Sequence, residues 1–184
     1  MRADAQYLET KHLDHSLLSI ATYLITFCCY GSHLPGQPGA IDRNHHVPGD
    51  RTPDPRPRLQ EYAKASLRQE PFQMDARQRD VTLHAIREVC HSKNWRLLAA
   101  HVRSNHVHTV VDVSTGKTPE FIMNAFKSYA SRALNFLEPT QNERIRWARH
   151  GSTKSLWSPE IIDAAIHYVL EKQGEPMARY SSAC

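Results

Sequence analysis

Apolar and polar positions recur along this chain with two periods, one near two residues and one near 3.6. Residues 23–30, Tyr-Leu-Ile-Thr-Phe-Cys-Cys-Tyr, are rich in β-formers, apolar on both faces and stopped by Gly31, which predicts a central strand. From Gly31 to about Pro57 glycine and proline recur without a period, with His33, His45, His46 and several arginines between them, and a long loop is expected. Residues 75–93 carry Val81, Ala85, Ile86, Val89 and Cys90 at helical spacing, with Asp75 available as the cap. Residues 95–102 predict a strand that turns through Arg103, Ser104 and Asn105 into a second strand at 106–113, making a hairpin. Thr118 caps a helix with Pro119 in its first position, running to about Leu137 before Pro139. A short strand is expected between Arg144 and Trp157. Ser158, Pro159 and Glu160 then open a last helix, striped by Ile161, Ile162, Ala165, Ile166, Val169 and Leu170 and ending at Gly174.

The order β-α-β-β-α-β followed by a helix predicts an α+β fold of the ferredoxin-like, split βαβ kind. It is an antiparallel sheet with helices on one face and the other face left for a ligand and a C-terminal helix. With 184 residues the chain suits one domain, expected over residues 19–180, with 1–18 as an extension of no assigned role and 181–184 as a tail. A net charge of +4 permits an anionic partner without establishing one. No apolar stretch reaches the ~18 to 20 residues that span a bilayer, and acids at Asp4, Glu9 and Asp14 do not suit a signal peptide, so a cytoplasmic protein is expected. Cys28, Cys29, Cys90 and Cys184 have no C-x-x-C spacing, which signals neither a disulfide frame nor a zinc knuckle.

The candidate chemistry lies on the second hairpin strand. Alternation along a strand puts His106, His108, Val110 and Asp112 on one face and Val107, Thr109, Val111 and Val113 on the other. Two imidazoles at i and i+2 can grip one divalent cation, yet with 12 histidines in the chain such a triplet also arises by chance, as an ordinary surface pair. Asn105 and His101 flank the pair. Two tyrosines are candidates for a nucleophile. At 100° per residue, Tyr129 falls mid-stripe among Phe121, Ile122, Ala125, Phe126, Ala133 and Leu134 and reads as core. Tyr168 falls at the stripe's margin, near the line of Ile161 and Lys172, where a phenol rests its ring on the core and holds its oxygen in a cleft; it is the better nucleophile of the two, on what would be a C-terminal catalytic helix, and a half-buried tyrosine whose hydroxyl meets only water accounts for the same position. Arg144, Arg146, Trp147, Arg149, His150 and Lys154 form a basic segment suited to single-stranded nucleic acid. A core Trp147 with a solvated arginine rim accounts for the same residues. Gly151-Ser152-Thr153-Lys154-Ser155 lacks the leading glycine and loop length of a phosphate-binding loop, and no nucleotide cofactor is expected.

Taken together, the strand ending in Tyr30-Gly31, the turn Val102-Arg103-Ser104-Asn105 into His106-Val107-His108, Lys127-Ser128-Tyr129-Ala130-Ser131-Arg132, Leu156-Trp157 and Tyr168-Val169-Leu170-Glu171-Lys172-Gln173 resemble the single-tyrosine HUH transposases. These are the small insertion-sequence enzymes and their REP-associated relatives, and the match runs in order over roughly residues 20 to 180. The resemblance implies that His106 and His108 are metal ligands, that Tyr168 is the nucleophile, and that Tyr129 lies on a helix that is not catalytic. It also implies a homodimer that cleaves and rejoins single-stranded DNA, at hairpin-forming ends, through a 5′-phosphotyrosine with Mg or Mn. One position departs. The family commonly completes its metal site with Gln or Asn one turn after the tyrosine, where this chain has Lys172, whose ammonium has no lone pair. Gln173, ~140° round a regular helix from Tyr168, comes in if the last turn before Gly174 unwinds; Glu171, about 60° away, is the substitute. The alternative is a domesticated protein that binds DNA hairpins without cutting. A two-histidine phosphoesterase would want a second H-x-[ST] motif, and an RNA-recognition module would want aromatics on the histidine strand, which has none. A purely structural metal would make the fold depend on the ion.

Overall fold

The computed structural model describes residues 20–37, 54–114, 116–139 and 143–182. The extension at 1–18 and residues 38–53 of the expected loop lie outside the described residues. The strands are β1 (Ile20–Cys29), β2 (Arg96–Val102), β3 (His106–Ser114), β4 (Trp147–Leu156) and β5 (Ala178–Ser181); the helices are α1 (Pro57–Ala65), α2 (Ala76–Ser92), α3 (Pro119–Leu137) and α4 (Pro159–Glu171). All five strands form one antiparallel sheet in the order β4-β1-β3-β2-β5. The histidine strand β3 is therefore the centre of the sheet.

Capping chemistry sets the helix starts. Asp75 accepts from the Gln78 N–H while the Gln78 side chain accepts from the Asp75 N–H, a capping box that satisfies two otherwise orphan donors. Thr118 and Ser158 cap α3 and α4 by the simple N-cap bond, their hydroxyls accepting from the Phe121 and Ile161 N–H groups, each followed by proline in the first turn. Helices α2 and α3 cover one face of the sheet, burying Ile25, Phe27, Val107, Val111, Ile86, Val89, Phe126 and Leu134 between them. Each such side chain contributes about 1.5–3 kcal/mol of burial. The opposite face receives α4, whose Ala165 and Val169 pack on Leu98, Ala99, Val110 and Leu156.

Two elements go beyond the sequence expectation. Helix α1 buries none of its residues and lies directly after the expected loop, in a stretch where no element was expected. Strand β5 is four residues long, pairs with β2 alone, and extends one residue into the stretch expected to be a tail. Gly151-Ser152-Thr153-Lys154-Ser155, by contrast, is ordinary strand, as its missing loop features imply.

Candidate active site

The pleat puts His106 and His108 on the α4 side of the sheet. The register then fixes their neighbours: Cys28 lies opposite His106, Thr26 opposite His108 on one side, and His101 opposite His108 on the other. The two imidazole centroids are 4.8 Å apart. His106 holds Asn105 Oδ1 through Nδ1 at 2.7 Å, and His108 Nδ1 lies 2.7 Å from the Thr26 hydroxyl. Assigned from these partners, the ring protons sit on Nδ1 and the Nε2 lone pairs are left for a ligand. Burial pushes both imidazoles down to about 4. The neighbouring His33 adds to the effect at His106, His106 opposes the charging of His108, and Gln173 partly offsets it at both rings. Both rings are thus neutral near pH 7, the state in which imidazole binds a metal.

Helix α4 brings the phenol. Tyr168 is 43% exposed, and its ring meets that of His108 edge to face at 5.6 Å between centroids. The helix ends at Glu171, with Lys172 as its C-cap, three residues before Gly174, which takes φ +75°. Past Glu171 the regular 100° step no longer applies, and the departure at Lys172 is resolved locally. Lys172 is exposed, Glu171 turns away to pair with Arg179 at 3.5 Å, and Gln173 turns in beside both imidazoles, close enough to offset part of their lowered pKa, while its amide N–H donates to the Tyr168 carbonyl at 3.2 Å. Of the two candidates for the third position, Gln173 meets the histidines and Glu171 does not.

The last carbonyls of α4, which have no partner inside the helix, are taken up by side chains of the sheet. His101, fully buried, donates from Nδ1 to the Val169 carbonyl at 3.0 Å and accepts the Met177 N–H at Nε2, 3.2 Å away. Arg179 donates to the Leu170 carbonyl at 3.2 Å, and Arg103 donates to the Glu175 carbonyl. These three residues hold the end of α4 against the histidine pair, and only His101 stood out in the sequence as a flanking residue. His33 also escaped notice there as anything beyond a loop histidine. It is exposed, at φ +52°, with its ring 6.2 Å from that of His106.

Tyr129 lies on α3, across the sheet from the histidines, half-buried against the first core with the Arg132 guanidinium 4.3 Å over its ring. The basic segment divides. Arg146, 2% exposed, is inside, bonded to Asn135 Oδ1 at 3.1–3.2 Å and paired with Glu138 at 3.3 Å. Trp147 is inside too, edge-on to Phe27, its N–H shared by the Lys127 carbonyl and Ser131 Oγ. Neither can lie on a nucleic-acid strand, and the sequence expectation is corrected for these two. The reason is that α3 reaches over the start of β4, where the buried Lys127 ammonium donates to the Ala148, Arg149 and His150 carbonyls. Arg149, His150 and Lys154 are exposed, and Arg144 stacks its guanidinium 5.0 Å over Phe72.

Among the described residues no three His, Cys, Asp or Glu side chains converge, so a cation here would rest on two imidazoles and an amide oxygen, with water or substrate oxygens completing it. The residues fit such an ion: both rings are neutral, both are oriented through Nδ1, and Gln173 offers an oxygen with lone pairs.

Among solved structures, a REP-associated tyrosine transposase bound to a REP hairpin aligns at 11% identity over 83% of this chain and 66% of its own, with a TM-score of 0.50. That likeness speaks for the fold alone, and this chain spans 66% of the length of that one. A protein of Deinococcus radiodurans R1 described as a candidate transposase aligns at 14% identity over 94% of this chain and 98% of its own, with a TM-score of 0.44. No curated protein matches. The profile of IS200-like transposases matches residues 66–169, more than half of the chain and a stretch holding His106, His108 and Tyr168, and the chain accordingly belongs to the IS200-like transposase family.

Proposed function

We propose that this transposase cuts and rejoins single-stranded DNA at hairpin-forming ends, with Tyr168 as nucleophile and His106, His108 and Gln173 as ligands of a divalent cation, Mg or Mn. The observation that carries the reading is that one helix end delivers both the phenol and the amide to the same pair of neutral imidazoles. The solved REP hairpin complex supports DNA hairpins as the partner. In the step itself the Tyr168 oxygen forms a bond to a backbone phosphorus while the bond from that phosphorus to the 3′-oxygen breaks. The phenol gives up its proton to solvent, the departing 3′-oxygen takes one, and a 5′-phosphotyrosine remains. A free phenol with a pKa near ~10 is a weak nucleophile at neutral pH. When bound, the cation polarises a non-bridging phosphate oxygen and offsets the charge that builds in the transition state. The ester energy is kept in the tyrosine link, so joining is the reverse attack by a 3′-hydroxyl, and no nucleotide is consumed.

His101, Arg103 and Arg179 hold Tyr168 and Gln173 in place, and proximity of this kind lowers the barrier by removing the entropy of bringing the groups together. The homodimer implied by the resemblance belongs to the proposal, each subunit carrying its own histidines and tyrosine; sedimentation reads it directly. The test of the chemistry is a denaturing gel of protein mixed with a single-stranded hairpin substrate and Mn. A covalent adduct that disappears in Tyr168→Phe is the expected result. Hairpin binding with no adduct would refute the cutting reading in favour of a binding protein.

A further inference from the structure

The structure separates the tryptophans of this chain by burial. Trp95 and Trp147 are 7% and 9% exposed, whereas Trp157 is 80% exposed, directly between the end of β4 and the Ser158 cap of α4. A single exposed apolar side chain is ordinary, so whether this indole face has a partner depends on what surrounds it. Along β4 the register with β1 puts Ser152, opposite Thr26, and Lys154, opposite Leu24, on the histidine face, and both are exposed. Helix α4 lies mainly over β2 and β3, and among the described residues the strip along Ser152 and Lys154 beside it is exposed, a course that can serve as a channel. The wall of α4 on the line of Tyr168 also carries Ile161, one heptad earlier and 37% exposed. The channel thus has Trp157 and Ile161 at one end, the Lys154 ammonium along it, and Thr26, His108 and Tyr168 at the other.

We propose that Trp157 is a stacking platform for an unpaired base of the single-stranded DNA held in this channel, with Lys154 on its backbone. The assignment rests on the DNA reading above. Its length agrees: from the first residue of α4 to Tyr168 is ~14 Å along the helix axis, about four phosphate spacings of a stacked strand and fewer of an unstacked one. The stacked base belongs to the same strand as the phosphate that Tyr168 attacks, a few nucleotides away from it. Stacking on an aromatic tolerates any base, which lets this contact add affinity without reading sequence.

Because Trp157 is the exposed indole, it reports on itself. A pool of randomised single-stranded oligonucleotides, or a hairpin with single-stranded flanks, is titrated into the full chain while intrinsic tryptophan emission is followed, and binding is measured separately by anisotropy of a labelled oligonucleotide. The expected result is saturating quenching of the red-shifted, solvent-exposed emission. In Trp157→Phe the quenching is lost while affinity stays close to wild type, since the phenyl ring still stacks. In Trp157→Ala affinity drops roughly 5- to 150-fold, the range for losing one base-aromatic stack, with urea unfolding unchanged. Binding by anisotropy with unaltered tryptophan emission and undiminished affinity in Trp157→Ala overturns the platform and leaves the DNA reading intact. No anisotropy change with any oligonucleotide overturns both.

Discussion

Replacing His101 by Leu tests whether the end of α4 is held by the sheet in the manner described. His101 is fully buried, and both ring nitrogens are used, one donating to the Val169 carbonyl and one accepting from the Met177 N–H. Leucine fills a similar volume but leaves both backbone groups without a partner. Each of the two unsatisfied groups costs about 1–3 kcal/mol, and the extra apolar burial returns about 1 kcal/mol, for a net loss of about 1–5 kcal/mol. For a domain of this size that is a fall in melting temperature of roughly 2–20 °C. Val169 adjoins Tyr168, and Met177 closes the segment that contains Gln173, so the site loosens with the clip. Adduct formation at a temperature where the variant is still folded is expected to fall by at least ten-fold. His101→Gln keeps a donor and an acceptor and recovers part of both losses. The measurements are urea unfolding and single-turnover adduct formation. A His101→Leu variant within ~0.5 kcal/mol of wild type, and equally active, would refute the reasoning.

Two further outcomes follow from the charges. His106 and His108 titrate near 4 in the folded chain against 6.5 for a free imidazole, so between those values the unfolded chain binds more protons than the native one. The stabilisation from keeping them neutral is complete above about pH 6.5 and is lost progressively as pH falls to about 4. Urea midpoints of metal-free protein should decline over that window, with a shallower slope in a His106→Gln/His108→Gln variant; equal slopes would count against it. The divided basic segment predicts opposite phenotypes. Arg146→Met, which removes the buried guanidinium donors to Glu138 and Asn135, should cost about 2–4 kcal/mol of stability, whereas Lys154→Ala should leave stability within ~0.5 kcal/mol and reduce the salt slope of oligonucleotide binding by about 1. Chemical denaturation and binding isotherms at several salt concentrations read the two.

Local patterns in the sequence determined a good deal about this protein. The caps at Asp75, Thr118 and Ser158 and the apolar stripes behind them place three helices, because capping and amphipathic burial depend on residues within a turn or two of one another. Period-two alternation puts His106 and His108 on one face of one strand, and the helical wheel sets Tyr168 at a margin where its ring reaches them. What lies between elements left no such trace. Strand β5 is a four-residue edge strand, too short to carry a periodic signal, and the short helix α1 buries nothing against the core that would have marked it. Arg146 looks like surface in the sequence and Trp147 reads equally as stacking face or core; both are interior because α3 and its C-cap offer Asn135, Glu138 and the Lys127 carbonyl to them. The third position at the histidines was decided by where α4 stops. Beyond Glu171 a wheel drawn at 100° per residue loses its meaning, and Arg179 from β5, drawing Glu171 aside, together with the turn at Gly174 is what leaves Gln173 facing the imidazoles.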